Sequence, residues 1–377
     1  MRRKILLYGL AIFAMFFGSG NLVYPLSVGI HSLDNWYLGY LGFFATSVIL
    51  PFLGLFVVKL YRGNYFEFFG EAGKIAKFVL PLLTLSLLGS FGVVPRCITV
   101  AHGGLEYLYP QISLTLFSFI FCLCCYLFCL KDQWMFQILG KLLTPILLTF
   151  ITILIIFGIY NVDYAIPTAN LTSTEIFKYG FLEGYNTMDL LSAFFFSALI
   201  FKQIEQIVPD QINYCVVRTA IKPSIIGASL LAVIYLGFVY LGAAYSDVAK
   251  DLDPELVLPA ISSHVLGEAG SLVISFVIIL SCLTTAVALN KIYAEYLADL
   301  FKLNKRNQKY MLIATTIIAF LFSTLDFTGI AIILVPVLQI CYPALIMLTI
   351  ISIIAKGHKR FKTIAFYFVI LLMLFMT

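Results

Sequence analysis

The first hydrophobic segment of this chain is interrupted in its middle. Ile5 to Gly29 is long enough to cross a bilayer, yet Gly18-Ser19-Gly20-Asn21 stands at its centre and Pro25 follows. Backbone groups released from a helix at membrane depth find no partner in lipid, so unwound backbone persists there only where it lines a cavity or binds a ligand. In transporters built from inverted repeats, such interrupted helices hold the substrate and its driving ion. The pattern therefore predicts a transporter.

Composition favours a polytopic membrane protein without a sizeable aqueous domain. Of 377 residues, 62% are hydrophobic and 11% are charged, and the mean hydropathy of +1.01 is far from that of soluble domains. Eleven apolar segments approach the ~20 residues that a membrane helix needs. They are residues 5–30, 37–60, 75–101, 110–130, 141–160, 184–206, 221–245, 270–290, 309–325, 328–355 and 361–377. The tenth contains Pro336 and Pro343, and is either kinked or divided into two pieces.

The distribution of charge predicts the orientation of these spans. If the N-terminus is cytoplasmic and the spans alternate, all of the 24 lysines and arginines except Arg96, Lys178 and Lys250 lie on the cytoplasmic side. The loop after span seven is acidic and is predicted to be external. This asymmetry follows the positive-inside rule. The net charge of +5 is therefore explained by topology, and nucleic-acid binding is excluded.

No motif points to an enzyme, a cofactor or a metal site. The chain has no nucleophile elbow, no phosphate-binding glycine loop, no HExxH and no carboxylate pair within a span. Four of the eight cysteines cluster at residues 122–129 within an apolar run. We interpret them as small apolar residues of a membrane helix, so neither a disulfide nor a metal centre is expected.

A second interruption is predicted at the head of span six. Gly184-Tyr185-Asn186-Thr187-Met188-Asp189 introduces this span, five spans after the first break. Paired interruptions in spans one and six indicate a five-plus-five inverted repeat. We expect a single transport domain over residues 1–377, with repeats at 5–160 and 180–355 and an additional helix at 361–377. Alternatively, residues 184–187 form an external loop and Asp189 is an ordinary acid at a helix end.

The two breaks define the predicted substrate site. Exposed N–H groups and the N-terminus of a half-helix favour a carboxylate, and aromatic or apolar side chains beside the breaks favour an aliphatic side chain. The predicted substrate-binding residues are Phe17, Gly18, Ser19, Gly20, Asn21, Gly184, Tyr185, Asn186, Thr187 and Met188.

Span eight offers oxygen atoms for a small hard cation. Ser281, Thr284 and Thr285 share one helix face. In membrane helices such hydroxyls often bond the preceding turn instead, which is the structural alternative. The functional interpretation is that Thr284 and Thr285 bind sodium together with carbonyls around Gly18 and Tyr24.

Arg96 is the basic residue placed well inside a predicted span. A charge there costs about 2.5–3.5 kcal/mol on insertion scales, so it should face a cavity or a partner. It either binds a substrate carboxylate or plays a structural role, by pairing with Glu106, Glu183 or Asp189 or by reaching outward.

Five stretches together resemble one family. They are Phe16-Phe17-Gly18-Ser19-Gly20-Asn21-Leu22-Val23-Tyr24-Pro25, Pro95-Arg96, Gly140-Lys141-Leu142-Leu143-Thr144-Pro145, the block at 180–189, and Cys282-Leu283-Thr284-Thr285-Ala286-Val287. The pattern is similar to that of the bacterial branched-chain amino acid permeases (the LIVCS or BrnQ type) of the amino acid–polyamine superfamily. The resemblance implies a LeuT-like bundle in the cytoplasmic membrane and cation-coupled uptake of leucine, isoleucine and valine. It further implies that spans one and six carry the substrate, and that spans one and eight carry the ion.

The chain departs from that family in two respects. The family usually has twelve spans, so a last helix is expected to be missing here, and Cys97-Ile98 replaces the family's Thr-Ala after Pro-Arg. Sodium symport is the expected function because no acid lies mid-span in spans one or eight. Amino acid exchange, or a proton-coupled permease for another small neutral amino acid, is the alternative, and the oligomeric state stays open. A channel would need a continuous polar stripe, which the sequence lacks.

Overall fold

The computed structural model describes residues 2–130, 144–162, 165–205, 213–304, 307–355 and 357–376. Within these ranges the regular structure is helical and contains no strand. Three predicted boundaries lie outside the described residues: the start of span five at 141, the end of span six at 206 and the end of span eleven at 377.

The helices follow the order of the predicted spans. The first half contains α1 (Arg2–Phe16), α2 (Ser19–Ser32), α3 (Trp36–Phe44), α4 (Leu50–Leu60), α5 (Tyr65–Gly70), α6 (Ala76–Leu88), α7 (Val93–Glu106), α8 (Leu114–Cys129) and α9 (Thr144–Tyr160). The second half contains α10 (Ser173–Asn186), α11 (Asp189–Glu205), α12 (Asn213–Ala244), α13 (Ser246–Ala249), α14 (Val257–Leu300), α15 (Gln308–Ser323), α16 (Asp326–Ile354) and α17 (Lys359–Met376). Each predicted span coincides with a helix or a pair of helices, which confirms the all-helical class.

The lengths and surfaces of these helices suit a bilayer. Among the described residues, five helical stretches are long and apolar enough to cross a membrane: Ser19–Leu60, Ala76–Glu106, Ala220–Ala244, Pro254–Leu300 and Asp326–Ile354. Shorter apolar helices, such as Leu114–Cys129, accompany them. Large apolar side chains on outward faces, including Phe119 on α8 and Phe368 on α17, are exposed, as contact with lipid requires.

Breaks divide spans one, three and six into two helices each, whereas α3 and α4 of span two are joined by a π-helical turn at Ala45–Ile49. The breaks in spans one and six, between α1 and α2 and between α10 and α11, were predicted and are confirmed. The break in span three, between α6 and α7, was not predicted, although Gly89-Ser90-Phe91-Gly92 marks it in the sequence. A Cβ on Gly89 would lie 2.5 Å from a ring carbon of Tyr293, and the Ser90 hydroxyl donates to the Thr315 carbonyl at 2.7 Å. This break therefore packs against spans eight and nine.

Span six begins earlier than predicted. Its first helix, α10, starts at Ser173, where the Thr172 hydroxyl caps the Glu175 N–H at 3.4 Å. Gly184 and Tyr185 are helical and buried, so the external-loop alternative for residues 184–187 is wrong. The charged residues of this helix lower its mean hydropathy, so a search for apolar segments does not detect it. Gly180 explains how it still packs inside the bundle, because a Cβ there would collide with the backbone of Gly39 in α3.

Two further predicted spans lie within long helical segments. Span ten is one helix, α16, which continues through Pro336 and Pro343. Span eight lies within α14, where two helices meet at a kink at Gly267, whose φ is 71°. A glycine is suited to this left-handed conformation because it has no Cβ.

Helix packing brings the breaks together. In the densest packing of the bundle α14 lies along α7, α10 along α3, α12 along α1 and α2, and α11 along α4. Spans one and six are thereby enclosed by spans two, three, seven and eight. The terminal helix α17 packs on α16, and its buried Lys362 donates to Glu71 at 2.9 Å and to the Tyr61 hydroxyl at 3.1 Å.

Candidate functional site

The break in span one is a short extended step. The Phe17 N–H makes the last bond of α1, to the Phe13 carbonyl at 2.9 Å. Gly18 is extended (φ −120°, ψ −163°) and forms the N-cap of α2. Its N–H donates to Asn21 Oδ1 at 2.9 Å. Ser19 to Asn21 were predicted to lie within the interruption, but they form the first turn of α2, where helical N–H groups lack intrahelical partners.

Two glycines let this break touch its neighbours. A Cβ on Gly18 would lie 3.1 Å from Thr285 Cγ2 in span eight, and one on Gly20 would lie 3.1 Å from Thr187 Cα in the break of span six. Both distances are shorter than ordinary van der Waals contacts of a Cβ atom. The start of α2 is therefore pressed against spans six and eight through its own backbone.

The break in span six depends on Met188. This fully buried residue has φ of 59°, a left-handed conformation that is uncommon and unfavourable for a residue with a side chain. Its carbonyl accepts from the Ser192 N–H at 3.1 Å and from the Ser192 hydroxyl at 3.2 Å. On the preceding side, the Thr187 hydroxyl donates to the Gly184 carbonyl at 2.9 Å. Backbone strain of this kind concentrates at functional sites.

A small cavity lies where the two breaks meet. Its volume is ≈ 10 Å³, about the space of one water molecule. Its lining residues are Met15, Phe16, Gly18, Ser19, Gly20, Asn21, Val93, Thr187, Asp189, Ser192, Phe196, Thr285 and Leu289. Residues of spans one, three, six and eight thus converge on one point. A ligand much larger than a water molecule would enter this volume only if its walls separated.

Asp189 brings a carboxylate into this cavity. The residue is 3% exposed, and its Oδ2 accepts from the Asn21 amide at 2.7 Å. The same amide also donates to the Tyr235 hydroxyl of span seven. Among the described residues, no lysine, arginine or histidine forms an ion pair with Asp189. A buried carboxylate without such a partner needs a bound cation or a proton.

In span eight, Ser281 and Thr285 face the break of span one. The Ser281 hydroxyl donates to the Phe17 carbonyl at 3.4 Å, and Thr285 lies against Gly18 and lines the cavity. Thr284 instead donates to the Ser281 carbonyl of its own helix at 2.7 Å. The hydroxyls on the cavity side are therefore those of Ser281 and Thr285, one turn apart.

Arg96 joins spans one, three and six. It is 1% exposed, and its Nη1 donates to the Tyr24 hydroxyl at 2.8 Å and to the Asn186 carbonyl at 2.6 Å. Its Cζ lies 5.4 Å from the centre of the Tyr24 ring. Its Nε and Nη2 have no hydrogen-bond partner among the described residues.

Several predicted site residues lie beside the cavity without lining it. Phe17, Tyr24, Gly184, Tyr185, Asn186, Met188 and Thr284 belong to this group. Gly184 packs on the Thr46 side chain of span two, and the Tyr185 ring stacks on Tyr342 with centroids 4.6 Å apart. Tyr24 lies within α2, where its ring contacts Phe327 at 5.9 Å.

Other lining residues were missed, although a periodic signal was available for some of them. Ser192 and Phe196 follow Asp189 by three and seven positions, and Leu289 follows Thr285 by four. Residues at these spacings share one helix face. Tyr235 carries no comparable signal, because its contact with Asn21 depends on how span seven packs.

Sequence comparison gives the family. The chain matches, over residues 1–377, a profile described as "Branched-chain amino acid transport protein". It is 30% identical over 365 residues to the branched-chain amino acid permease BrnQ of Corynebacterium glutamicum, covering 96% of this chain and 83% of that protein. It is 31% identical over 386 residues to BrnQ of Bacillus subtilis, covering 98% of this chain and 86% of that protein.

Solved structures share the fold at low sequence identity. The inward-facing conformation of Mhp1 superposes with a TM-score of 0.64 at 13% identity, covering 92% of this chain and 75% of that chain. MhsT in complex with L-phenylalanine gives 0.60 at 14% identity, with coverage of 97% and 98%. A Na+-coupled sialic acid symporter gives 0.61 at 12% identity, with coverage of 98% and 88%. The chain is a member of the branched-chain amino acid transport protein family and has a LeuT-like fold with broken helices one and six.

Proposed function

We propose that this protein takes up leucine, isoleucine and valine across the bacterial cytoplasmic membrane by symport with sodium, with its N-terminus in the cytoplasm. The family, and relatives that are named branched-chain amino acid permeases, support the substrate class. The concentration of basic residues in alternate loops supports the orientation.

One observation carries the proposal: the start of α2, the start of α11 and Thr285 line the same cavity. The free N–H groups and positive dipole end of α2 suit the carboxylate of an amino acid. Asp189 supplies a negative charge for the ammonium group. A zwitterion would thus find both of its charges matched at the breaks.

The remaining wall suits an aliphatic side chain. Met15, Phe16, Val93, Phe196 and Leu289 contribute apolar surface to the lining. Binding sites of this kind are mostly apolar and contain few polar groups. One methylene is worth about 1–3 kcal/mol of discrimination, so a site of this shape should accept all three branched side chains.

The sodium site in this proposal lies between spans one and eight. Hard cations prefer oxygen ligands, and the Phe17 carbonyl with the Ser281 and Thr285 hydroxyls offers three. A protein that shares the fold is described as a Na+-coupled sialic acid symporter, which makes sodium coupling reasonable on this scaffold. Thr284 is left out because its hydroxyl is engaged within its own helix.

Proton coupling is a second candidate, and Asp189 favours it. The sodium interpretation relied on the lack of a mid-span acid in spans one and eight, but Asp189 of span six lines the cavity with them. A buried carboxylate there is suited to carry a proton. Sodium remains the leading choice because the oxygen atoms beside Gly18 need no titrating group.

Uptake in proteoliposomes tests the proposal. A sodium gradient should drive leucine uptake without internal amino acid, and isoleucine and valine should compete within about two orders of magnitude of leucine. A pH gradient without sodium should drive none. Preference for a charged or aromatic amino acid would contradict the substrate class, and uptake only against internal amino acid would indicate exchange.

Gly20→Leu should abolish leucine uptake while the protein still inserts in the membrane. A Cβ at Gly20 would lie 3.1 Å from Thr187 Cα, so the larger side chain would fill the space between the two breaks. Gly104→Ala is the matched control, because its Cβ would meet Ile278 at an ordinary 3.5 Å. Normal transport by Gly20→Leu would show that the substrate does not use this space.

Thr285→Val should shift the sodium dependence of leucine uptake to higher concentration by about tenfold, with partial rescue at high sodium, because one ligand oxygen is lost. Thr284→Val removes a neighbouring hydroxyl that bonds its own helix, and should shift it by less than about threefold. Equal shifts, or none in either variant, would place the ion elsewhere.

Asp189→Asn separates the two candidate mechanisms. If Asp189 binds the substrate ammonium, the variant should lose leucine affinity in counterflow by at least about tenfold, because a charge-assisted bond becomes neutral. If Asp189 carries the coupled proton, counterflow should persist at near wild-type affinity while uptake driven by a pH gradient disappears. The first outcome is expected.

A further inference from the structure

The free edge of Arg96 is the feature of this protein that its described contacts leave unexplained. Nε and Nη2 lie on one edge of the planar guanidinium group, and neither has a hydrogen-bond partner in the described part of the chain, although the residue is 1% exposed. Buried donors without partners are rare and costly. Two parallel N–H groups on one edge match the two oxygens of a carboxylate. The geometry of this edge therefore suits a carboxylate.

The three acids named in the sequence analysis as partners of Arg96 are engaged elsewhere. Glu106 pairs with His102 at 3.1 Å, and Asp189 accepts from Asn21 at 2.7 Å. Glu183 accepts from the Asn186 amide at 3.0 Å. The three carboxylates that the sequence offered as structural partners of Arg96 are thus bonded to other groups. None forms an ion pair with Arg96 in the described part of the chain.

Arg96 lies directly beyond the cavity. It follows the lining residue Val93 by three positions on α7, and its partner Tyr24 follows the lining residue Gly20 by four on α2. Its other partner, the Asn186 carbonyl, immediately precedes the lining residue Thr187. The spacings of three and four keep Arg96 and Tyr24 on the helix faces that line the cavity. Arg96, Tyr24 and Asn186 thus cover one side of the cavity, and we call this group the roof. In the proposed orientation the roof lies on the external side of the cavity.

We infer that the free edge of Arg96 binds the α-carboxylate of the transported amino acid, on the opposite side from the N-terminus of α2. This inference rests on the proposed function and adds a charged residue that determines specificity. The cavity of ≈ 10 Å³ cannot hold an amino acid, so the site must expand when it loads. Expansion past the roof brings the substrate against Arg96, and Nη1 keeps its bonds to Tyr24 and Asn186 while the other edge receives the carboxylate.

The test compares leucine with leucinamide, which keeps the side chain and the ammonium group but has a neutral amide in place of the carboxylate. Displacement of bound radiolabelled leucine from the purified full-length protein gives both affinities for each variant. Arg96→Gln should lose at least about tenfold in leucine affinity, because an ion pair with two hydrogen bonds is removed. Its affinity for leucinamide should change by less than about threefold, so the ratio of leucine affinity to leucinamide affinity should fall.

Controls separate this role from a structural one. If Arg96 only holds the roof together, both ligands should weaken by the same factor, which would overturn the inference. Tyr24→Phe removes one existing partner of Nη1 and should preserve the ratio of the two affinities. Arg360→Gln, at an exposed site, should change neither affinity.

If Arg96→Gln fails to insert, Arg96→Lys gives the same comparison, because lysine keeps the charge without the two-nitrogen edge. An unchanged ratio in Arg96→Lys would also overturn the inference. A wild-type protein that binds no leucine would refute the proposed function instead.

Discussion

The centre of this protein depends on one constraint: backbone groups released inside an apolar environment must find partners within the protein. The carbonyl of Phe17, at the break of span one, accepts from Ser281 of span eight at 3.4 Å. The carbonyl of Asn186, at the break of span six, accepts from Arg96 of span three at 2.6 Å. Side chains of spans three and eight thus satisfy the breaks of spans one and six. The same side chains place oxygen and charge where a substrate and an ion would meet.

Glycines make these contacts possible by removing side chains where backbones meet. Helices in lipid gain little from hydrophobic association, so close packing of small residues supplies much of their attraction. Gly29 and Gly242 bring α2 and α12 into backbone contact, and Gly42 does the same for α3 and α10. Gly20 brings the two breaks together in the same way. A glycine that marks a loop in a soluble protein therefore often marks close packing here, which explains why an external loop at residues 184–187 stood as the alternative interpretation.

Sequence reasoning predicted the class, the spans and two breaks because the bilayer imposes a one-dimensional constraint on length and hydropathy. Sequence reasoning failed where polar residues lie in contacts between helices of the bundle. The charged residues of α10 lower its hydropathy, so the start of span six was predicted too late. The break at Gly89 to Gly92 lies inside a long apolar run and was not predicted. The partners of Asp189 were also out of reach, because Asn21 and Tyr235 are distant in the chain and only the packing of spans one, six and seven unites them.

Asp189 and Arg96, two buried groups of opposite charge, are held by the same helix. Asp189 accepts from Asn21, and Arg96 donates to Tyr24, and both of these partners belong to α2. Neither charge is paired with the other among the described contacts, so each is stabilised locally while the site is closed. An ammonium group that binds Asp189 competes with Asn21 for the carboxylate that now holds α2 to span six, whereas a carboxylate at the free edge of Arg96 leaves the bond from Nη1 to Tyr24 in place. A ligand shifts a conformational equilibrium only through contacts that differ between its states. Substrate binding would therefore act directly on the position of α2, the helix whose first turn also faces Thr285 and the proposed ion site.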